Sequence, residues 1–448
     1  NLDFDAVLQG EPIVLKKSAY FLLSYHEKLV SVTPDKIYLE YEKTKSFWMD
    51  WVYRTKVPEK YKEIIIRSII TLKLLMFQKT GAVVAAPTTS LPEIVGKERN
   101  WDYRFCWVRD TSMIIDLYAR MGHVHSAESF MKFILGRMLL KNENIAVMYG
   151  IHGERNMEEK TLEHLQGYKN SRPVRIGNAA YRQQQNDVYG ELIEAIYSYF
   201  ILNFRYQNDF DEELWTVVRS LANDVLKHWQ EPDCGIWERR GPKQHFVHSK
   251  MMNWVALDRA AKIAKFVHQE KNVSRYLSVA EEIKKDILQN GWNDRLKSFV
   301  MFYGSEDVDA SNLLMFHYGF LEPSDPRMIG TVEAAVKHLL RDGFVMRYTA
   351  QDDFGVPQNA FIVCTFWLIN ALYLIGRKEE AKKMFDQVIG NVNRFGLLSE
   401  GIDPVTKSLT GNFPQGYSHL ALIQTALLLE TDYRWSDNEE SSLYKVEY

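Results

Sequence analysis

The sequence predicts an all-α fold in which helical hairpins close into a ring, an (α/α)6 barrel or toroid. Two observations lead to this prediction: apolar residues follow a helical period after residue 36, and the connections between helices alternate between short and long. An open stack of helical hairpins remains the alternative, because the chain shows no clear internal repeat. Twelve helices are predicted, at 58–79, 111–121, 124–139, 186–204, 211–229, 249–267, 273–290, 307–318, 326–340, 358–376, 378–391 and 415–431.

Residues 1–33 differ from the rest of the chain. The stretch PIVLKKSAYFLLSYHEKLVSVTP alternates in polarity, is rich in β-forming residues and ends at Pro34. Two strands rarely form a stable domain by themselves. We therefore expect residues 1–33 to be remnant strands of a β domain with the start of a linker, and residues 34–448 to form the helical domain.

Capping signals support several of the helices. Asp325 is placed to cap the ninth helix, with Pro326 at its first position. Gly343 follows the end of that helix, and Gly390 lies at the end of the eleventh. The loops that contain GIWERRGPKQHFVH and GLLSEGIDPVTKSLTGNFPQ are long and rich in glycine, proline and aromatic residues. Long loops of this composition usually hold functional residues.

Composition excludes several classes of protein. A net charge of −3 provides no basic excess for binding nucleic acid or an anionic membrane surface. Arg67 and Lys73 interrupt the apolar run EIIIRSIITLKLLMF, so no bilayer-spanning segment is expected. Cys106, Cys234 and Cys364 are far apart and odd in number, which predicts no disulfide framework. A reducing, cytoplasmic setting is therefore expected, and a homo-oligomer remains possible.

The motifs of several enzyme classes are absent from the sequence. It contains no GxSxG, HExxH, GxxxxGK[ST] or EF-hand pattern. The twelve histidines show no metal-binding spacing, and a structural role is expected for His245 and His248. We therefore expect neither a metal ion nor another cofactor.

Carboxylates set among aromatic residues remain as candidate chemistry. They occur in NWDYRFCWVRD at 100–110, in GIWERR at 235–240 and in GLLSEGIDP, which contains Glu400. Aromatic faces together with Asp and Arg suit a sugar, which has both apolar faces and hydroxyl groups. Two carboxylates on separate loops suit glycoside hydrolysis, in which one protonates the leaving oxygen and the other activates water or attacks carbon. Each carboxylate alone is weak evidence, because most glutamates are solvated surface groups.

Several longer motifs resemble glycoside hydrolase family 15, which contains glucoamylases, glucodextranases and microbial trehalases. The resemblance covers residues 20–433, nearly the whole chain. The motifs are TTSLPEIVGKERNWDYRFCWVRD, PVRIGNAAYRQQQNDVYGE, GIWERR followed by HSKMMNWVALDRA, FIVCTFWLINAL, and LLSEGIDPVTKSLTGNFPQGYSHLALI. The family implies an (α/α)6 barrel, inversion at the anomeric carbon and, in this branch, a preceding β-sandwich. Residues 1–33 would be the last strands of that sandwich, most of which is expected to be missing from this chain.

The resemblance also implies roles for individual residues. Glu238 would be the general acid and Glu400 the general base. Arg109 and Asp110 match the pair that grips the non-reducing glucose in the first subsite, and Arg347 matches a further arginine there. The walls of the same subsite would include Trp107 and Trp237, and Tyr103 is expected among the substrate-binding residues.

The resemblance leaves the substrate open. A glucoamylase that releases β-glucose from the ends of α-1,4 and α-1,6 glucans is the favoured reading. A trehalase of the same family is the alternative, and a non-hydrolytic glycan-binding or phosphorylase-like toroid is a more distant one. Gln358 and Asn359 depart from the family pattern, which puts the preference for the leaving group in doubt.

Two arginines beside Glu238 provide a test of its predicted role. A nearby guanidinium lowers the pKa of a carboxyl group, whereas burial against an indole such as that of Trp237 raises it. If Glu238 is the acid, Arg239 and Arg240 should point away from it, towards solvent or other carboxylates.

Overall fold

The computed structural model of the chain describes residues 4–15, 18–20, 33–138, 144–204 and 212–432. The chain divides into two compact units, Asn1–Thr55 and Lys56–Tyr448. The first unit contains helix α1, Phe4–Leu8, and helix α2, Pro34–Arg54. The second unit contains the remaining helices and all the strands of the described residues.

The predicted β-strands do not appear among the described residues before position 33. Phe4–Leu8 is helical, residues 9–15 and 18–20 form no strand, and residues 21–32 of the predicted strands lie outside the described residues. Pro34, taken from sequence as the end of a strand, instead opens α2. The Thr33 side chain accepts a hydrogen bond of 3.3 Å from the backbone N–H of Lys36, and Pro34 occupies the first turn, where its missing N–H costs nothing.

The second unit contains twelve helices among its described residues, one in each place where the sequence predicts one. They are α3 Lys62–Leu75, α4 Val108–Arg120, α5 Val124–Met138, α6 Asp187–Phe204, α7 Glu212–His228, α8 Val247–Phe266, α9 Glu270–Asn290, α10 Leu314–Tyr318, α11 Pro326–His338, α12 Ile362–Leu374, α13 Lys378–Ile389 and α14 Gly416–Thr431.

Six of these helices follow one another around a closed set of contacts. Helix α4 contacts α6, α6 contacts α8, α8 contacts α10, α10 contacts α12, α12 contacts α14, and α14 contacts α4. The other six, α3, α5, α7, α9, α11 and α13, each pack on one or two members of this inner ring. The arrangement is consistent with the predicted (α/α)6 barrel.

The pattern of apolar residues explains which helices are inner and which are outer. Nearly every residue of α12, IVCTFWLINALYL, is buried, as expected for a helix that is surrounded on all sides. The outer helix α13 buries a single stripe, Ala381, Met384, Phe385 and Val388, at the i, i+3, i+4, i+7 spacing.

Helix α10 is shorter than the predicted range of 307–318. A 3-10 turn, Ala310–Leu313, precedes it, and the Asp309 side chain caps that turn by accepting a hydrogen bond from the Ser311 N–H at 2.8 Å. Gly319 then ends the helix in the left-handed conformation.

Short strands tie together the loops at the ends of the helices. They are β1 Cys106–Trp107, β2 Met148–Tyr149, β3 Lys160–Thr161, β4 Arg175–Ile176, β5 Trp292–Asn293, β6 Ser298–Phe299, β7 Leu340–Arg341, β8 Phe344–Val345, β9 Ala360–Phe361, β10 Gly401–Ile402 and β11 Leu409–Thr410. All pairings are antiparallel: β1 with β2, β3 with β4, β5 with β6, β7 with β8, and β10 between β9 and β11. Strand β1 runs directly into α4 and β9 into α12, so these strands position residues at the start of two inner helices.

Two further predictions concern membrane segments and cysteines. Among the described residues, no helix combines the length and the apolar character needed to cross a bilayer. Cys106, Cys234 and Cys364 are all free and buried, as the absence of a disulfide pattern predicted.

Candidate active site

A pocket lies where the inner helices begin. It is lined by residues at the starts of α4, α12 and α14 and in the loops before α6 and α8. Seven of the eight residues predicted from sequence line it, namely Tyr103, Trp107, Arg109, Asp110, Trp237, Glu238 and Arg347. The eighth, Glu400, is buried behind Tyr103 and is not part of the lining.

A tight turn presents Glu238 to the pocket. The Glu238 N–H donates to the Gly235 carbonyl at 3.1 Å, and the Arg239 N–H donates to the Cys234 carbonyl at 3.2 Å. Gly235 is required in this turn, because its φ is +68° and a Cβ there would approach the Phe246 ring to 2.8 Å. Glu238 itself has a φ of +57°, which is uncommon for a residue with a side chain.

Three donors surround one oxygen of the Glu238 carboxyl group. The Trp107 indole N–H donates to Oε1 at 2.6 Å, and the side chains of Arg109 and Gln185 approach the same atom at 3.4 Å. The sequence analysis expected Trp237 to be the important indole neighbour. The Trp237 N–H instead donates to both carboxylate oxygens of Asp309, at 2.9 and 3.0 Å.

Neither of the arginines that follow Glu238 bonds to it. The Arg239 guanidinium donates to the Gln351 carbonyl at 2.9 Å. The Arg240 guanidinium forms an ion pair with Glu159 at 2.7 Å. Arg240 thus bonds another carboxylate, as expected, whereas Arg239 bonds a backbone carbonyl and not solvent or a carboxylate. The cation that does approach Glu238 is Arg109, at 3.4 Å.

Glu400 is enclosed by protein. Only 1% of it is exposed, the Tyr103 hydroxyl donates to its Oε1 at 2.5 Å, and the Asn412 N–H approaches its Oε2 at 3.3 Å. Burial raises the pKa of Glu400 to about 8; the charge of Glu93 acts in the same direction, while Tyr103 and Arg347 oppose it. This environment favours the protonated form of Glu400.

Arg109 joins several acids at the floor of the pocket. Its guanidinium donates to the Gln185 side chain at 2.9 Å and to the fully buried Asp187 at 3.0 Å, and it lies 3.6 Å from Asp110. Burial disfavours the charge of Arg109, but Asp187, Asp110 and Glu238 outweigh that effect and keep its pKa above the ordinary value. Burial raises the pKa of Asp110 to about 6, against the opposing influence of Arg109.

Arg347 is held in the pocket wall by a second buried acid. Its two terminal nitrogens donate to the two oxygens of Glu93 at 3.2 and 2.5 Å. The guanidinium also lies over the Phe361 ring, 5.3 Å from its centroid. Arg347 is therefore oriented by a bidentate ion pair and an aromatic face.

The residues that depart from the family pattern do not line the pocket. The Asn359 amide donates to the Thr410 hydroxyl at 3.1 Å, and neither Asn359 nor Gln358 is among the lining residues. The neighbouring turn contributes Asp352, Asp353 and Phe354 to the lining instead.

The described residues contain no group of three or more histidine, cysteine, aspartate or glutamate side chains arranged to hold a metal ion. The pocket lining combines carboxyl groups, arginines and aromatic side chains.

The sequence matches the model of a known protein family over most of its length. The model of glycosyl hydrolases family 15 matches residues 59–427. The chain belongs to this family. The resemblance seen in the sequence motifs is thereby confirmed, and membership agrees with the predicted enzyme class, a glycoside hydrolase.

Curated proteins named trehalase are similar to this chain. It is 40% identical over 392 residues to a trehalase of Mycolicibacterium smegmatis, covering 86% of this chain and 58% of that protein. It is 36% identical over 403 residues to a trehalase of Thermoplasma volcanium, covering 90% of this chain and 64% of that protein. The chain thus spans less than two thirds of the length of these relatives.

Solved structures show the same fold. A bacterial glucoamylase complexed with acarbose superposes with a TM-score of 0.67 at 16% identity, covering 87% of this chain and 59% of that one. A glucoamylase from Saccharomycopsis fibuligera superposes with a TM-score of 0.61 at 14% identity, covering 84% of this chain and 96% of that one. At these identities the likeness shows the fold alone.

Sequence reasoning missed several side chains that hold the family 15 site in place. Glu93 pairs with Arg347, Asp187 and Gln185 bond to Arg109, and Asp309 bonds to Trp237. Glu93, Gln185 and Asp187 lie within the motifs TTSLPEIVG and RQQQND, which carried the resemblance. A signal was therefore present, but no spacing rule links these residues to partners that are far away in sequence.

Proposed function

We propose that this chain is an α,α-trehalase that hydrolyses trehalose to two molecules of glucose. The observation that carries the proposal is its 40% and 36% identity to proteins named trehalase, over most of its own length. The similar glucoamylase structures share only 14 to 16% identity and support the fold, not the substrate. The sequence motifs alone favoured a glucoamylase, whereas the identity to proteins named trehalase favours the alternative.

The proposed mechanism is inversion, with Glu238 as general acid and Glu400 as general base. The three donors at Oε1 of Glu238 leave Oε2 as the atom that carries the proton for the leaving sugar. Glu400 would take a proton from a water molecule that attacks the anomeric carbon from the opposite side. An inverting enzyme separates its two carboxyl groups by about 6.5–9.5 Å to leave room for that water.

The walls of the pocket support binding of a glucose unit. Arg109 and Asp110 would bind hydroxyl groups, and Arg347 would add donors from the opposite loop. The indoles of Trp107 and Trp237 offer apolar faces to the ring. The proposed framework for all of these residues is an (α/α)6 barrel, which the closed contacts of the six inner helices support.

The base role requires Glu400 to ionise, although its surroundings favour the protonated form. The pH dependence of kcat/KM reports the pKa values of essential groups in the free enzyme. If Glu400 is the base, the acid limb of that profile should lie above the ordinary carboxyl pKa of 4.5, in the direction of 8. An acid limb at or below pH 4.5 would contradict the assignment.

The decisive experiment is to incubate the protein separately with trehalose and with maltotriose and to follow glucose and its anomers by NMR. Inverting hydrolysis of trehalose yields one β-glucose from the attacked sugar and one α-glucose from the leaving sugar, in equal initial amounts. If the protein releases β-glucose from maltotriose but no glucose from trehalose, it is a glucoamylase instead. No glucose from either substrate would favour a non-hydrolytic glycan-binding or phosphorylase-like protein.

Two isosteric variants test the roles of the carboxyl groups. Glu238→Gln and Glu400→Gln should each lower kcat by several orders of magnitude while the circular dichroism spectrum stays that of the wild type. Near-normal turnover in either variant would rule out the role assigned to that residue.

A further inference from the structure

Glu93 and Arg347 form a buried ion pair that no part of the proposed mechanism uses. Glu93 is 1% exposed and Arg347 is 8% exposed. Both oxygens of Glu93 accept hydrogen bonds from Arg347, at 3.2 and 2.5 Å. Arg347 lines the pocket, whereas Glu93 does not. Glu93 therefore lies behind the pocket wall and acts on the site through other groups.

The segment that contains Glu93 is fixed beside the carboxyl group of Glu400. The Pro92 carbonyl accepts a hydrogen bond of 2.8 Å from the Gly411 N–H. A Cβ on Gly411 would lie 2.3 Å from Oε2 of Glu400, so Gly411 packs directly on that carboxyl group. The charge of Glu93 acts on both Glu400 and Tyr103, the residue that donates to Glu400.

We propose that Glu93 is a positioning residue that holds Arg347 in the pocket wall and, through its own charge, sets the pH at which Glu400 ionises. The proposal rests on the proposed role of Glu400 as general base. Glu93 touches neither the pocket nor the reacting atoms.

The balance of buried charge gives the physical reason. Glu400 is influenced by the charges of Glu93 and Arg347 and by the hydrogen bonds of Tyr103 and Asn412. Arg347 provides one positive charge, and Glu93 already neutralises it in a bidentate pair. Ionisation of Glu400 therefore adds a second negative charge beside Glu93 and Arg347, and low local polarity makes the repulsion between the two carboxylates strong.

The test is the pH profile of kcat/KM in Glu93→Gln, measured with whichever substrate the wild type cleaves. Glutamine keeps the shape of the side chain and an acceptor for Arg347, but it removes the negative charge. The acid limb should move to lower pH by about one unit or more. If Glu93 only holds Arg347, Glu93→Gln should raise KM without moving the acid limb. That result would overturn the proposal, and so would a shift of the acid limb to higher pH.

Glu93→Asp is the matched control, because it keeps the charge but shortens the reach to Arg347. Its KM should rise while its acid limb stays at the wild-type position. If Glu93→Gln does not fold, this variant decides the question, because a limb displaced in Glu93→Asp would overturn the proposal.

A stability measurement, which does not depend on activity, distinguishes failure of this proposal from failure of the proposed function. Glu400→Gln is introduced into the wild type and into Glu93→Gln, and the free energy of unfolding in urea is measured at pH 5 and pH 9. The part of its pH dependence that is due to Glu400 should be smaller in the Glu93→Gln background. An equal contribution in both backgrounds would overturn the coupling, even if the wild type hydrolyses neither sugar.

Discussion

Replacing Glu400 with Gln should make the protein more stable at alkaline pH while abolishing its activity. Burial raises the pKa of Glu400 to about 8 from an ordinary value of 4.5. At about 1.36 kcal/mol for each pH unit, this difference corresponds to about 5 kcal/mol. Because the folded-state pKa is the higher one, the proton on Glu400 stabilises the folded protein below pH 4.5. That stabilisation is lost as the pH rises from 4.5 through about 8.

The neutral Gln side chain does not titrate, so the variant should not show this loss. At pH 5 the wild type and Glu400→Gln should have similar free energies of unfolding, because a protonated Glu and a Gln are nearly isosteric and both can accept from Tyr103. At pH 9 the variant should be the more stable by up to about 5 kcal/mol. Urea unfolding followed by tryptophan fluorescence at the two pH values measures the difference.

Glu282→Gln is the control, because Glu282 is exposed on the outer helix α9. This substitution should leave the pH dependence of stability as it is in the wild type. If the gap between wild type and Glu400→Gln is the same at pH 5 and pH 9, Glu400 is not protonated by its surroundings. The argument for its raised pKa would then be wrong.

Three further predictions concern other parts of the structure. Trp107→Phe removes the N–H that donates to Glu238 at 2.6 Å, so kcat/KM should fall roughly ten- to a hundredfold; unchanged kinetics would contradict the geometry. Arg259→Met removes a buried guanidinium that pairs with both Glu194, at 2.5 Å, and Asp258, so the free energy of unfolding should fall by about 3–5 kcal/mol in urea titration; a loss under about 1 kcal/mol would show that the pairs are not buried as described. Burial raises the pKa of the Cys106 thiol to about 11, and all three cysteines are buried, so a thiol reagent should label the protein in urea but not in its native state; labelling of the native protein would contradict this burial.

The sequence determined the helices and the residues that carry chemistry. Apolar periodicity predicts the twelve helices of the second unit. Each helix buries a stripe or its whole surface, and the spacing of its apolar residues shows which. The family motifs contain six of the seven predicted residues that line the pocket, and the seventh, Arg347, lies outside them. Pro34 shows the limit of local signals. The same proline can end a strand or begin a helix, and only the Thr33 cap settles which.

The tertiary structure decided the partners of these residues and their electrostatics. The indole that bonds Glu238 is that of Trp107, 131 residues away, and not the adjacent Trp237. Glu93 and Arg347 are 254 residues apart in the chain, yet they form the ion pair behind the pocket wall. Such pairs form because the contacts among the inner helices bring loops that are distant in sequence to the same pocket. The charge and the burial of each side chain in the pocket depend on all the loops that line it. A sequence can therefore name Glu238 and Glu400, but only the assembled fold determines that Glu238 lines the pocket while Glu400 is buried behind Tyr103.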